Sequence, residues 1–145
     1  MDIGAFMLGS VPFARLLGIS FDSIDSGTAV ARMPDREDLH NHVGGPHAGA
    51  LFSLAESASG AAMLSALGDQ LSRAVPLATE ARIRYVKLAR GEVTAEAVLR
   101  GERAAIVAEL DEGRRPEFEV EVAVRDSAGV VVSEVVVSWT LRPIR

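Results

Sequence analysis

The chain has 145 residues, a net charge of −5 and no cysteine, with a pI near 5.2. That length suits a single domain, residues 1–145, able to bury roughly 70% of its unfolded surface, so a core can form without staples. The acidic balance and the lack of a basic face argue against a nucleic-acid partner. A chain without thiols has neither a disulfide framework nor a thiolate metal site, which fits a reducing cytoplasm. Fourteen of the fifteen basic residues are arginine, and Lys87 is the only lysine.

Residues 3–17 read as one or two short amphipathic helices, with Ile3, Phe6, Met7, Val11, Phe13, Leu16 and Leu17 as the apolar positions. This segment carries Asp2, lacks a positive n-region and is broken by Pro12 and Arg15, so it makes a poor signal peptide. No run of apolar residues approaches the ~18 of a membrane span, and the chain reads as soluble, with no membrane partner. "GISFDSIDSGTAVARMP" predicts two strands around a tight turn at Asp25-Ser26-Gly27. Its alternation sets Ala29 and Ala31 against Val30 and Arg32, and Pro34 ends the pairing.

"DREDLHNHVGGPH" is too polar and too rich in Gly and Pro for regular structure and reads as a loop. The main helix is expected from Ala48 to about Leu67, with Gly68 and Asp69 as its stop. After a short link at Pro76, "ATEARIRYVKLA" predicts a strand with Ala81, Ile83, Tyr85 and Lys87 on one face and Arg82, Arg84, Val86 and Leu88 on the other. "EVTAEAVLR" follows as a strand, while "ERAAIVAELDEG" fits a helix or a strand. "EFEVEVAVRD" and "VVVSEVVVSWTLRP" are strands joined by a hairpin at Ser127-Ala128-Gly129. Meander strands with one segregated helix give an α+β domain.

The stretch that bears on function is "HNHVGGPHAGALFSLAES", residues 40–57. A polar loop enters a helix of Ala, Gly and Ser, small enough to lie close against a curved sheet, and that helix carries one carboxylate, Glu56. A helix N-terminus offers unpaired amides and a positive dipole end, a natural site for a developing oxyanion. A carboxylate in apolar surroundings resists ionisation and so suits a general base. Glu56 lies eight residues from Ala48, about 12 Å along the helix axis, with a side chain that leans back towards the N-terminus. The competing reading makes Ser53, Glu56, Ser57 and Gly60 one solvated stripe. His40, His42 and His47 with Glu56 could be read as metal ligands, but His-x-His alone is a weak signal, and no metal or other cofactor is assigned.

With those residues in view, "NHVGGPHAGALFSLAE" resembles the hotdog-fold acyl-CoA thioesterases, in particular their PaaI-type branch. Asn41, His47, the Leu54-Ala55 pair and Glu56 fall on that branch's positions, and "IRYVKLARGE" is similar to its next strand and turn. The resemblance covers roughly residues 17–142. It implies a hotdog fold, a curved antiparallel sheet wrapped around one long central helix. It also implies hydrolysis of an acyl-CoA or acyl-carrier thioester, in a homodimer or homotetramer whose site lies between two subunits. Glu56 would be the base or nucleophile, and Asn41 would hold the attacking water or the carboxylate. His47 would order the loop at the helix entrance, and the Ala48 N–H would polarise the thioester carbonyl. Ala48 stands where the family usually has glycine, and Glu56 where Asp also occurs. A serine or threonine often reaches the site from the partner; Thr79 is the nearest candidate, although direct alignment falls on Ala78. Gly49, Thr79, Lys87 and Arg90 are the candidate substrate contacts.

Two other functions remain open from the sequence. Asp35-x4-His40 is similar to the Asp/His pair of hotdog enoyl-CoA hydratases but lacks the Asn-Pro inside that motif. The domain could also bind acyl groups or acyl-CoA without turning them over. By the same analogy Arg82 and Arg84 join Lys87 and Arg90 near the cleft mouth. Phe52, Tyr85 and Trp139 are expected in the core.

Overall fold

A computed structural model describes residues 1–145. Two N-terminal helices, α1 (Ile3–Ser10) and α2 (Pro12–Leu16), precede a hairpin of β1 (Ser20–Asp25) and β2 (Thr28–Met33). The long helix α3 (Ala48–Leu67) follows, then β3 (Ala74–Tyr85), β4 (Val93–Arg100), α4 (Arg103–Asp111), β5 (Glu117–Arg125) and β6 (Val131–Pro143). The segment that fitted a helix or a strand is therefore the helix α4. All strand pairs are antiparallel in one six-stranded sheet of order β1-β2-β4-β5-β6-β3. This is the expected α+β hotdog arrangement of a sheet curved around one helix.

Local chemistry explains most of the elements. The β1–β2 turn uses Ser26 and Gly27, both at positive φ (46° and 89°), the twist a two-residue hairpin requires. In β5, Phe118, Val120, Val122 and Val124 are buried while the intervening glutamates stay in solvent. α3 packs on β2, β4 and β5. The contact is alanine on alanine: Ala58, Ala61 and Ala62 of the helix and Ala29, Ala31, Ala95 and Ala97 of the sheet are all buried. Small side chains on both sides bring the backbones close, and Leu54, Leu67 and Met33 fill what remains.

The structure corrects several sequence expectations. Pro76 is not a link but lies inside β3, opposite Leu141 of β6. β3 is an edge strand, and a residue without an N–H is tolerated there because one side has no ladder to serve. The strands do not run as a simple meander, since β3 crosses to the far edge beside β6. α3 does end at Leu67 with Gly68 as its C-cap, as expected; the glycine's φ is −59°, and the chain tightens into a 3₁₀ turn over Gly68–Gln70. That extended helix, Ala48–Gln70, is long and apolar enough to cross a membrane by length and composition, which the sequence reading missed. Here it is the core helix, buried along most of its length.

Candidate active site

The loop before α3 is built by its own side chains. Asn41 Oδ1 accepts hydrogen bonds from the Val43 N–H (3.0 Å) and the Gly45 N–H (3.1 Å), while its Nδ2 donates to the Pro46 carbonyl at 3.4 Å. Gly45 is buried against the following loop, where an added Cβ would stand 2.6 Å from the Ala89 carbonyl oxygen. Only glycine permits that approach. His47 is the N-cap of α3, and its Nδ1 accepts from the Gly49 N–H at 2.8 Å. The next helical donor, Leu51 N–H, goes to the His47 carbonyl. The N–H groups of Ala48 and Ala50 donate to nothing within the chain. Two amides at the positive end of a 20-residue helix are thus available to an oxyanion.

Glu56 lies two turns further on, on the flank of α3 that faces β6. Its side chain is half-buried, and burial alone pushes its carboxyl above the usual carboxylate range. No arginine, lysine or hydrogen-bond donor of the chain offsets that penalty. The solvated-stripe reading does not hold for its neighbours, because Ser57 and Gly60 are buried. Ser53 turns its hydroxyl onto the Gly49 carbonyl (2.8 Å).

β3 forms the opposite wall. α3 leaves the inner face of this strand uncovered; Ala78, Ala81 and Tyr85 are exposed there. Two aromatic side chains tie β3 and β6 to α3. At one end the Tyr85 hydroxyl donates to the Ala48 carbonyl (2.9 Å). At the other, Trp139 Nε1 donates to Ser59 Oγ (3.2 Å), which itself donates to the Glu56 carbonyl (2.7 Å). Tyr85 is thus no core residue: it is 49% exposed and ties the edge strand to the first turn of α3. The sequence signal was available, since alternation already placed Tyr85 on the face of Ala81 and Ile83.

The remaining candidates are more dispersed. Thr79 is the extra residue of a bulge, between the Ala78–Trp139 and Glu80–Ser138 pairs, and its hydroxyl donates to the Ser138 carbonyl at 3.3 Å. Lys87 and Arg90 are exposed on the loop after β3, and neither takes part in an ion pair. Arg82 and Arg84, expected at the cleft mouth, lie on the outer face of the sheet beside Glu121 and Glu134. Asp35 and His40 do meet, Oδ1 to Nε2 at 2.6 Å, on the loop ahead of α3. No three His, Asp or Glu side chains gather closely enough to hold a metal ion.

Residues 3–141 match the model of a domain of unknown function, DUF4442. No curated protein matches the chain. Among solved structures, the chain is similar to PA5026 of Pseudomonas aeruginosa, described as a protein of unknown function and probable thioesterase. The two share 29% identity, the alignment covers 98% of this chain and 94% of that one, and the TM-score is 0.86. It is also similar to PA5202, a conserved protein of Pseudomonas aeruginosa, at 28% identity, with 89% and 92% coverage and a TM-score of 0.71. The E. coli PaaI protein of the phenylacetic acid degradation operon shares the fold at 22% identity, with 97% and 90% coverage and a TM-score of 0.75.

Proposed function

The chain belongs to the DUF4442 family, and we propose from that premise and from the geometry of α3 that it is a thioesterase using Glu56 as general base on an acyl-CoA or acyl-carrier thioester. The observation that carries the assignment is the pairing, on one helix, of an uncompensated half-buried carboxylate with free N-terminal amides. The likeness to a probable thioesterase at 29% identity supports it. Glu56 takes a proton from water as the water oxygen attacks the thioester carbon. The carbonyl oxygen becomes an oxyanion held by backbone N–H groups, and the thiolate leaves and is protonated. Asn41 and His47 act through the backbone, holding the loop and the first turn of α3 in place.

Within one chain, Ala48 and Glu56 stand about 12 Å apart along the axis, too far for a single carbonyl group to bridge. A two-fold dimer with antiparallel α3 helices removes that difficulty, bringing Glu56 of one subunit towards the partner subunit's Ala48. The 12-residue β3 has a free edge available for strand pairing, and its exposed face, with Ala78, Ala81 and Tyr85, would be covered by the second copy. The test is thiol release from a panel of acyl-CoA esters by the wild type and Glu56→Gln, with the assembly state measured by light scattering. Hydrolysis by a dimer or tetramer that Glu56→Gln loses is expected. Unchanged hydrolysis in the variant would overturn the role of Glu56, and binding without turnover would leave an acyl-binding module. An unsaturated acyl chain hydrated without thiol release would point instead to the Asp35–His40 pair.

A further inference from the structure

A cavity lies at the far end of the sheet from the α3 N-terminus. Arg142 stands opposite Val75, where the end of β6 pairs with the start of β3. Alternation along β6 sets Arg142 on the face opposite to Trp139 and Leu141, which are buried in the core. The chain beyond β6 is fastened there, because the Ile144 N–H donates to the Arg73 carbonyl at 2.9 Å. Arg115 comes from the segment between α4 and β5, which Gly113 turns at a φ of 76°. That segment is held to β6 by the Thr140 hydroxyl, which donates to the Pro116 carbonyl at 2.8 Å. Between them is a cavity of about 620 Å³, lined chiefly by Arg115, Arg142 and Arg145 with Val75, Pro143 and Ile144. No aspartate or glutamate lines it, and none of its three arginines takes part in an ion pair. The acids just before Arg115 are already engaged, Asp111 by Arg73 (2.6 Å) and Glu112 by Arg114 (2.8 Å). Glu117 is exposed on β5 but is not part of the lining.

We propose that this cavity binds a phosphorylated ligand of nucleotide size. Three unpaired guanidinium groups around one hollow repel one another, and an anion removes that repulsion. Their planar forks match phosphate oxygens in pairs. Val75, Pro143 and Ile144 offer apolar surface to a base or sugar, and the volume falls in the roughly 300–1,000 Å³ range of small-molecule sites. The concave surface beside Arg82 and Arg84 differs, since Glu96, Glu121 and Glu134 share it and cancel its charge. Val75 and Tyr85 lie at opposite ends of β3, about 33 Å apart at the rise of an extended strand. The site is therefore separate from the free amides of α3, and it does not depend on the thioesterase reading. Two sources share this chemistry: a free nucleotide, and the nucleotide end of a carrier such as CoA.

The experiment is titration calorimetry of the full chain with ADP, CoA and adenosine, at low and at physiological salt, for the wild type, Arg115→Gln, Arg142→Gln and Arg82→Gln. All three arginines are exposed, so the variants should fold, which thermal unfolding checks. The wild type should bind ADP or CoA, more weakly as salt rises, and should bind adenosine far more weakly. Arg115→Gln and Arg142→Gln should each weaken that binding by about tenfold or more, the loss expected when a charge-assisted hydrogen bond is removed. Arg82→Gln, outside the cavity, should leave the affinity unchanged. ADP binding at least as tightly as CoA identifies a free nucleotide as the ligand. CoA binding more tightly than ADP, with the same loss in Arg142→Gln, identifies the carrier. The proposal is overturned if neither ADP nor CoA binds, or if adenosine binds as well as ADP. It is equally overturned if Arg115→Gln and Arg142→Gln lower the affinity no more than Arg82→Gln does. None of these results bears on thiol release, so the site and the thioesterase reading can fail separately.

Discussion

Replacing Glu56 by Gln should make the protein more stable and less active at the same time. Burial raises the folded-state pKa of Glu56 above its unfolded value, with no ion pair or hydrogen bond working the other way. Below the unfolded pKa the carboxyl is protonated in both states and contributes no penalty. As pH rises towards the folded pKa, the unfolded chain releases its proton first and stability falls. Above both values the whole cost of holding an ionised, half-buried carboxylate is present. Glu56→Gln keeps the shape and removes the charge, and relieving a strained functional group of this kind yields about 0.5–2 kcal/mol. That corresponds to a rise in Tm of roughly 2–8 °C for a domain of this size. The gain should shrink towards zero as pH falls below the ordinary carboxylate range. Loss of the general base should lower kcat by about 10²–10⁴. In the wild type, kcat/KM should fall on the acid side with an apparent pKa above that of a free glutamate. Urea unfolding at neutral and acid pH, read beside thiol release, checks both arms. A variant less stable than the wild type at neutral pH would refute the reasoning, since it would show that the carboxylate makes a favourable ionic contact rather than carrying an uncompensated cost.

Three further substitutions test the scaffold of the site. Gly45→Ala places a methyl group 2.6 Å from the Ala89 carbonyl oxygen, a backbone atom; it should cost about 1–3 kcal/mol in urea unfolding and lower kcat as the loop into α3 shifts. Tyr85→Phe removes only the hydroxyl bonded to the Ala48 carbonyl, so stability should fall by about 0.5–1.5 kcal/mol, measurable in the same assay. Ser133 is fully buried in β6 and its hydroxyl has no hydrogen-bond partner; Ser133→Ala relieves a desolvation cost of about 1–3 kcal/mol and should leave Tm unchanged or higher.

What could be read from the sequence follows how local each cause is. α3 was legible from Ala48 to Leu67 because a helical run of small and apolar residues has breakers at both ends. The strands of "EFEVEVAVRD" and "VVVSEVVVSWTLRP" were legible because each alternates against solvent. Pro76 misled because a proline reads as a break, whereas an edge strand has a side on which no N–H is required, and edge position is a property of the whole sheet. The same long-range choice decided the arginines. Alternation correctly separated Arg82 and Arg84 from Ile83 and Tyr85, but which set faces the helix depends on β3 crossing to the side of β6. Glu56 shows the limit most clearly. Along the chain, Ser53, Glu56, Ser57 and Gly60 form a polar and small stripe of the sort that water usually covers. In the fold, Met7 from the first helix and Trp139 from the last strand both pack on Gly60, and Glu56 one turn earlier is half-buried, which no local pattern encodes. The identity of the charged residue was written in the sequence; the burial that raises its pKa is a property of the folded chain.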